Sequence, residues 1–262
     1  MNTTRKYRQF IMLLAAWVFM CITFSGASAA SVSDSLFARG NEYYMERQYA
    51  MAEQSYTQII EMGYASADLY FNLGNTYYKQ DRYATAILYY EKALLLKPGD
   101  EDIRQNLSLA NAHVIDKIDA IPEFFVKRWI KALRGVFSPD QWAIISMVLF
   151  VVSLTGFIVF YVSSGVSLRK AGLYAGITVL VLTVISVTLM FSRIQNIRNH
   201  DHAIIMMPSV NARSSPDEQS TNVFVLHEGT KVMITDSVQH WKEIRLANGN
   251  TGWLQEESLG EI

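Results

Sequence analysis

The consecutive residues His200, Asp201 and His202 carry the side chains best suited to metal binding in this sequence. Imidazole nitrogens and carboxylate oxygens bind zinc, but a stable zinc site needs at least three well-placed protein ligands. The trio lies in a linker, and no third histidine or cysteine stands close to the two histidines. We therefore predict that these are solvated polar residues and that the chain holds no metal.

Motifs of the common catalytic classes are missing from the sequence. It has no Gly-x-Ser-x-Gly, no His-Glu-x-x-His and no phosphate-binding loop. The only cysteine, Cys21, lies in an amino-terminal apolar run, where it has neither a disulfide partner nor a second thiolate for a metal. We predict that the protein is not an enzyme and uses no cofactor. The formal net charge of −1 also gives no reason to expect a nucleic acid as partner.

Two uncharged apolar stretches, 142–162 and 171–192, occupy the middle of the chain. Each exceeds the ~20 residues that a helix needs to cross a bilayer, and neither contains an ionisable residue. Residues 163–170 are too few to lead the chain elsewhere, so the sequence predicts an antiparallel two-helix transmembrane hairpin. Without ionisable groups it has no proton relay or ion site, and we interpret it as an anchor.

Local motifs indicate how this hairpin begins and packs. Ser138, Pro139 and Gln141 supply an N-cap, a proline at the first helical position and a capping-box glutamine, which predicts that a helix begins there. Gly172 and Gly176 place small residues on one side of the second stretch, where a neighbouring helix can approach closely. Packing within the hairpin is the favoured interpretation, and a dimer contact is the alternative.

The amino-terminal residues have the pattern of a secretory signal peptide. Arg5 and Lys6 precede an apolar run over 10–24, and a small-residue segment with an Ala-x-Ala cleavage site follows. Cleavage is predicted after Ala29, so that the signal peptide is 1–29, and an uncleaved anchor is the alternative. Both interpretations export the residues that follow.

Charges at the ends of the hairpin favour the opposite orientation. The loop between the spans has only Arg169 and Lys170, whereas more basic residues flank the outer ends. These are Lys127, Arg128, Lys131, Arg134, Arg193 and Arg198. The positive-inside rule would place them in the cytoplasm. We give precedence to the signal peptide, because it acts first and a long domain follows it.

Two units of 34 residues, 33–66 and 67–100, repeat one another. The recurring pairs are Gly40 and Gly74, Tyr43 and Tyr77, Ala52 and Ala86, and Tyr56 and Tyr90. The period and these residues resemble the tetratricopeptide repeat, a helix pair, and the second unit fits the pattern more closely. An apolar stripe over 101–118 predicts one capping helix. The resemblance implies a short all-α solenoid over 33–118, which is marginally stable because about three repeats are normally needed.

The resemblance also implies a binding groove along the first helix of each repeat. Carried over residue by residue, the groove positions are Phe37, Asn41, Tyr44, Phe71, Asn72, Asn75, Tyr78, Lys79 and Asn106. Asparagines can bind the backbone of an extended ligand, and aromatic rings supply contact area. Interhelical packing is an equally weighted role for Tyr44, Phe71 and Tyr78. The family's carboxylate clamp is absent, because Phe37 stands where that clamp needs a lysine.

Residues 122–138 combine apolar and basic positions just before the first apolar stretch. Phe125, Trp129 and Leu133 recur every four residues, and basic residues occupy another side. This pattern predicts a basic amphipathic helix that lies in the membrane interface.

The tail, 203–262, changes to a strand pattern. Short strands are predicted over 231–234 and 241–246, and Asn248 with Gly249 is a hairpin-turn motif. The arrangement resembles a small all-β bacterial SH3-like barrel. Such domains bind cell-wall peptides or hold other proteins.

The two tryptophans of the tail are its largest side chains. Trp241 and Trp253 each lie in or beside a predicted strand. Large aromatic residues in so small a fold are more often core than ligand platforms. We therefore predict that both belong to the barrel core.

Taken in order, these segments resemble one family as a whole, BatE of the bacterial aerotolerance (Bat) operons. The most telling stretches are 72–75, 86–98 and 102–107. The resemblance implies a scaffold in the bacterial inner membrane, with repeats and tail in the periplasm. Its implied partners are von Willebrand A-type Bat proteins and a MoxR-type ATPase, in aerotolerance or envelope stress. The alternative hypothesis is a cell-wall anchor whose tail binds peptidoglycan while the repeats act as a spacer.

Overall fold

The computed structural model describes residues 32–119, 121, 125, 129, 132–133, 135–198 and 201–262. The predicted signal peptide, His200 and most of the predicted basic helix lie outside these residues. Within them, a helical unit is followed by two long apolar helices and then by an antiparallel sheet. This order agrees with helical repeats, a hairpin and a small β domain.

The helical unit contains α1 (Val32–Met45), α2 (Tyr49–Glu61), α3 (Ala67–Tyr78), α4 (Tyr83–Leu96) and α5 (Glu101–Asn111). Side-chain caps explain where α3 and α5 begin. Ser66 Oγ accepts a hydrogen bond from the Leu69 N–H (3.1 Å), and the Asp100 carboxylate accepts one from the Ile103 N–H (3.2 Å). Each cap satisfies a backbone donor that the first turn of a helix leaves open.

Paired helices cross closely at the repeated glycines. A Cβ on Gly40 would lie 2.5 Å from the Tyr56 ring, and one on Gly74 would lie 2.7 Å from the Tyr90 ring. Both tyrosines are 1% exposed, so their rings cannot move aside. The glycines therefore set the distance between α1 and α2 and between α3 and α4.

The capping helix is shorter than the apolar stripe predicted. Helix α5 ends at Asn111 rather than at residue 118, and 112–119 continues as a non-helical segment. Val114 packs against the core of the helical unit, whereas Ile118 packs against the core of the sheet. The apolar spacing thus reflects contact with two domains rather than one helix face.

The apolar stretches form α6 (Pro139–Val162) and α7 (Val166–Arg198). Helix α6 begins as predicted, with both hydrogen bonds of the Ser138–Gln141 capping box present. Helix α7 is longer at both ends than the predicted 171–192, so the connection is 163–165 and not 163–170. Arg169 and Lys170 lie just before the apolar run but within the helix, because both are good helix formers.

Small and hydroxyl residues line the contact between α6 and α7. A Cβ on Gly156 would lie 2.9 Å from Gly176 Cα, and Ser153 Oγ donates to the Gly176 carbonyl (2.9 Å). Ser146 Oγ donates to Ser186 Oγ (2.8 Å). The small residues therefore pack within the hairpin, which was the favoured interpretation of the glycines.

The outer surfaces of both helices are apolar and open. In the most apolar 18-residue segment of each helix, only 11% of α6 and 17% of α7 is buried within the described chain. Tyr174 and Phe191 are 67% and 62% exposed. Both helices are long and apolar enough to span a membrane, and the core helix of a soluble protein would bury far more of this surface.

The β domain is a seven-stranded antiparallel sheet in the order β3-β2-β6-β5-β4-β1-β7. Its strands are β1 (His202–Ile205), β2 (Ser209–Arg213), β3 (Asn222–His227), β4 (Lys231–Val238), β5 (Trp241–Arg245), β6 (Thr251–Gln255) and β7 (Leu259–Glu261). Leu226 of β3 and Leu259 of β7 pack in the same core, although β3 and β7 stand at opposite edges. The sheet is therefore strongly coiled.

Three predictions for the tail were wrong. Trp241 and Trp253 are half-exposed and do not belong to the β-domain core, which aliphatic residues such as Ile244 and Leu254 fill. Aliphatic side chains fill the interior of the coiled sheet, and both indoles are only partly covered. His202 begins strand β1 and is half-buried, rather than lying in an exposed linker.

The β domain packs directly on the helical unit. Asp116, in the segment after α5, accepts hydrogen bonds from the His227 backbone N–H (2.8 Å) and from Thr230 Oγ1 (2.7 Å). The Lys231 ammonium lies 2.6 Å from the Glu91 carboxylate of α4. Ile204 of β1 is fully buried in the core of the helical unit. The repeats and the β domain therefore share one side of the hairpin.

Candidate protein-binding groove

Helices α1, α3 and α5 lie side by side and form a groove with two adjoining pockets. The larger pocket, ≈ 240 Å³, is lined by Tyr44, Asn75, Tyr78, Lys79, Tyr90, Asn106 and Leu109. The smaller, ≈ 180 Å³, is lined by Asn41, Tyr44, Met45, Tyr56, Asn72 and Asn75. Tyr44 and Asn75 belong to both pockets, so the surface is continuous across the two repeats.

Seven of the nine residues predicted for the groove line these pockets, and two do not. Phe37 packs against Tyr56 with ring centroids 5.9 Å apart, and Phe71 packs against Tyr90 at 6.0 Å. Both phenylalanines are half-buried beside the core. Their role is interhelical packing, the alternative that the sequence left open for Phe71.

A ladder of hydrogen bonds runs beneath the groove with the period of the repeat. Asn41 Oδ1 accepts from the Tyr56 hydroxyl (2.7 Å) and from Asn72 Nδ2 (2.9 Å). One repeat later, Asn75 Oδ1 accepts from the Tyr90 hydroxyl (2.8 Å) and Asn106 Nδ2 (2.7 Å). Each asparagine oxygen thereby joins a helix pair to the first helix of the next unit.

The ladder limits what the asparagines can offer a ligand. The side-chain oxygens of Asn41 and Asn75 accept two hydrogen bonds each within the protein, which fills both lone pairs. An asparagine amide carries two N–H donors, and the ladder uses one donor each from Asn72 and Asn106. The groove is therefore built to donate hydrogen bonds, which suits backbone carbonyls of an extended segment.

Burial keeps the ladder tyrosines protonated. It raises the pKa of Tyr56 to about 12 and raises the pKa of Tyr90 as well. Desolvation disfavours the phenolate, so both hydroxyls remain donors over the physiological range of pH. The ladder therefore persists wherever the domain is folded.

Aromatic pairs border the groove at the ends of α1 and α3. Tyr44 packs edge-on against Tyr49 at 5.6 Å, and Tyr78 packs the same way against Tyr83 at 5.5 Å. The His113 ring stacks on Tyr83 at 3.7 Å. Sequence reasoning missed Tyr49, Tyr83 and His113, although Tyr49 and Tyr83 are 34 residues apart like the other repeated pairs.

The helix-pair geometry of α3 and α4 agrees with comparison to known families. Residues 67–100 match the family Tetratricopeptide repeat. This segment is a tetratricopeptide repeat. Helices α1 and α2 lie outside the match, but they reproduce its glycine–tyrosine crossing and its asparagine ladder. The groove is thus built from a matched repeat and a unit with the same internal contacts.

The coiled sheet matches a second family. Residues 208–260 match Bacterial SH3 domain. None of the curated proteins matches the chain. Tetratricopeptide repeats and bacterial SH3 domains are typically binding modules rather than catalysts, and no enzyme family matches.

The SH3 domain has a pocket of its own, of ≈ 350 Å³. It is lined by Met207, Ser209, Val210, Asn211, Arg213, Glu218, Trp241, Gln255 and Ser258. Trp241 contributes a half-exposed indole, and Arg213 and Glu218 contribute opposite charges. Sequence reasoning missed this pocket because it assigned Trp241 to the core. The alternation of polar and apolar residues along β2, Ser209–Arg213, was the sequence signal that could have indicated this pocket.

Metal binding has no support in the described residues. No group of three histidine, cysteine, aspartate or glutamate side chains comes together there. Asp201 and His202 are described, but His200 is not. Asp201 uses its carbonyl to accept a hydrogen bond from the Ile234 N–H of β4 (2.8 Å).

Proposed function

We propose that the protein is a membrane-anchored scaffold whose tetratricopeptide groove holds an extended segment of another protein. The observation that carries the proposal is the continuous groove over α1, α3 and α5, with amide donors and tyrosine rings at the same positions in successive units. Donors at a regular spacing suit main-chain carbonyls, and tyrosines add contact area at low entropy cost. The hairpin holds this groove at a membrane.

The same proposal places the repeats and SH3 domain in the periplasm and the hairpin in the bacterial inner membrane. The predicted signal peptide supports export. Contact between Asp116 and His227 supports a common side for the two soluble parts. Protease added to intact spheroplasts should degrade both parts together. Protection of both would show that they are cytoplasmic, in agreement with the basic residues that flank the hairpin.

The resemblance to BatE suggests the partners of this scaffold. We propose that von Willebrand A-type Bat proteins occupy the groove, with a MoxR-type ATPase in the same system, in aerotolerance or envelope stress. Co-purification with the full chain from native membranes, followed by mass spectrometry, tests this assignment. If other proteins co-purify through an intact groove, the scaffold proposal stands and the assignment of Bat-type partners is wrong.

Groove variants must spare the ladder, because Asn75 holds α3, α4 and α5 together. Lys79→Glu reverses an exposed charge in the larger pocket, and Tyr44→Ala removes a ring shared by both pockets. Both changes should abolish co-purification of the partner. Arg245→Glu reverses an exposed charge on β5 and is the matched control. If all three variants co-purify the same amount of partner, the groove proposal is wrong.

A second function, cell-wall anchoring, is favoured by one observation. The half-exposed Trp241 lies in a polar pocket of the SH3 domain, which is an arrangement suited to a peptide or sugar ligand. The full chain in detergent should then sediment with purified sacculi, and Trp241→Ala should abolish this. Trp253→Ala is the matched control, since Trp253 is also half-exposed but does not line the pocket. If the wild-type chain does not sediment with sacculi, the cell-wall-anchoring hypothesis is wrong.

A further inference from the structure

One loop edge of the tetratricopeptide unit lies beside the ends of the hairpin. A cleft of ≈ 830 Å³ is lined on one side by 65–67 and 96–102 and on the other by 138–141 and Ile197. The side chain of Arg193, on α7, is buried and donates a hydrogen bond to the Leu95 carbonyl at the end of α4. The α2–α3 and α4–α5 turns are thus held against the part of the hairpin that leaves the apolar region.

The depth of this edge follows from helix geometry. Residues 138–141 precede the apolar stretch, which begins at Trp142, by one turn. At 1.5 Å per residue they lie about 1.5–6 Å beyond the hydrocarbon boundary. The headgroup region extends about 5–8 Å beyond that boundary in each leaflet. Residues 65–67, where the α2–α3 turn enters α3, line the cleft opposite 138–141 and so lie near headgroup depth if α6 spans the membrane.

This turn exposes two large side chains. Met62 is 47% exposed and Tyr64 is 52% exposed, on either side of Gly63, whose φ of +84° allows the sharp reversal. Tyr64 stands where the second unit has Pro98, the residue that the tetratricopeptide pattern prescribes. Aromatic residues with a polar tip are enriched at the level of lipid headgroups. An exposed tyrosine and methionine are suited to that layer.

Neighbouring apolar side chains extend the same surface. Val136 is 54% exposed and Phe137 is 36% exposed, immediately before α6. Two described residues of the predicted interfacial helix, Phe125 and Trp129, are helical and 57% and 72% exposed. Exposed apolar residues thus border the point where the chain enters the apolar helices.

We propose that Met62 and Tyr64 form a direct membrane contact of the tetratricopeptide unit, seated in the headgroup region of the bilayer that the hairpin spans. The inference rests on the membrane anchoring proposed above. With this contact, the tetratricopeptide unit lies directly on the membrane surface in a fixed orientation, with the α2–α3 turn facing the bilayer.

The contact is apolar rather than electrostatic. Two of the acidic side chains along this edge lie beside basic ones: Asp100 lies 2.9 Å from Lys97, and Glu101 lies 2.6 Å from Arg104. The α2–α3 turn itself carries no charge between Met62 and Ser66. Attraction to anionic lipid is therefore unnecessary, and high salt should leave the contact in place.

Site-directed fluorescence on the full chain tests the proposal. In a Cys21→Ser background, single cysteines replace Met62, Tyr64, Met45 or Val152 and carry an environment-sensitive nitrobenzoxadiazole label. Met45 is the matched control, because it is 81% exposed at the opposite end of the helix pair, about 20 Å away along the 13 residues of α2. Val152 reports insertion of the hairpin itself. The labelled chains are reconstituted into vesicles with nitroxide lipids.

The expected result is loss of fluorescence at residues 62 and 64 with headgroup nitroxide, at low and high salt, and no loss at residue 45. Residue 152 should respond to acyl-chain nitroxide instead. Quenching at 152 without quenching at 62 and 64 overturns the membrane contact and leaves the anchor intact. Quenching at none of the four positions overturns the anchor and, with it, the contact.

Discussion

The carboxylate of Asp116 binds His227 twice, through the backbone N–H at 2.8 Å and through ring Nδ1 at 2.8 Å. The two residues stand on opposite sides of the hairpin in sequence and meet where the SH3 domain packs on the repeats. Because the Asp116 side chain is only 14% exposed, its hydrogen bonds are shielded from water. This pair therefore joins the two soluble parts into one structural unit.

Removal of this carboxylate should loosen the SH3 domain from the repeats. Asp116→Ala leaves the His227 N–H and the Thr230 hydroxyl without their acceptor, at a cost of about 1.5–3 kcal/mol in the free energy of unfolding. Chemical denaturation of the full chain in detergent measures the loss, and faster proteolysis of 112–119 should accompany it. Asp119→Ala, at an exposed position of the same segment, should change neither.

The Asp116 contribution should disappear in acid. Burial alone would raise the pKa of this carboxyl, but hydrogen bonds from Thr230 and His227 outweigh burial and lower the pKa below its ordinary value of 3.8. A carboxyl whose pKa is lower in the folded state stabilises that state above the unfolded pKa and loses this effect as pH falls through the folded pKa. The unfolding difference between wild type and Asp116→Asn should shrink as the pH falls below about 4. A constant difference down to pH 2 would contradict the assignment.

A methyl group at the crossing of α3 and α4 should destabilise the matched repeat. The Cβ of Gly74→Ala would lie 2.7 Å from the Tyr90 ring, which is 1% exposed and cannot yield. Overpacking of this kind costs about 1–3 kcal/mol, and thermal unfolding of the full chain measures it. Gly99→Ala is the control, because a Cβ there meets nothing within 4 Å. Equal melting temperatures for the two variants would show that the crossing is not tight.

The asparagine ladder should behave as a coupled unit. Tyr90→Phe removes the hydroxyl that donates a hydrogen bond to Asn75 Oδ1 at 2.8 Å. The expected loss in the free energy of unfolding is about 0.5–1.5 kcal/mol. Combination with Asn75→Ala should cost less than the sum of the single changes, because both remove the same hydrogen bond. Strict additivity in the unfolding free energies would contradict the ladder. Tyr64→Phe, at a side chain that is 52% exposed, should be neutral.

Local patterns predicted those parts of the fold that depend on neighbours in sequence. The capping box at Ser138 and the packing of Gly172 and Gly176 inside the hairpin both follow from short spacings. The resemblance to the tetratricopeptide repeat placed nine residues in a groove, and seven of them line the two pockets, because equivalent positions of a repeat face the same way. Phe37 and Phe71 pack between helices, since a groove position and a packing position can share one helix turn.

Contacts between distant residues were outside the reach of such patterns. Nothing near Asp116 or His227 in sequence indicates that they meet, because 111 residues separate them. The positions of Trp241 and Trp253 depend on how tightly the sheet coils, which strand propensity does not specify. Helix α7 extends beyond the predicted span 171–192 at both ends, because apolar composition indicates the candidate span, whereas helical hydrogen bonding continues past it.

The separation of Asp116 from Thr230 also determines the order in which this protein can mature. The repeats are synthesised first, and the outer face of α4 stays uncovered until the SH3 domain has been made. At about 5–20 residues per second, the 114 residues between the two partners take on the order of 10 s to synthesise. On the proposed topology, a chain that crossed the membrane only once would hold its SH3 domain on the opposite side from Ile87 and Leu88, which lie close to Gly229 and Gly260 of that domain. Docking of the SH3 domain on α4 would then require that both spans of the proposed hairpin are in place.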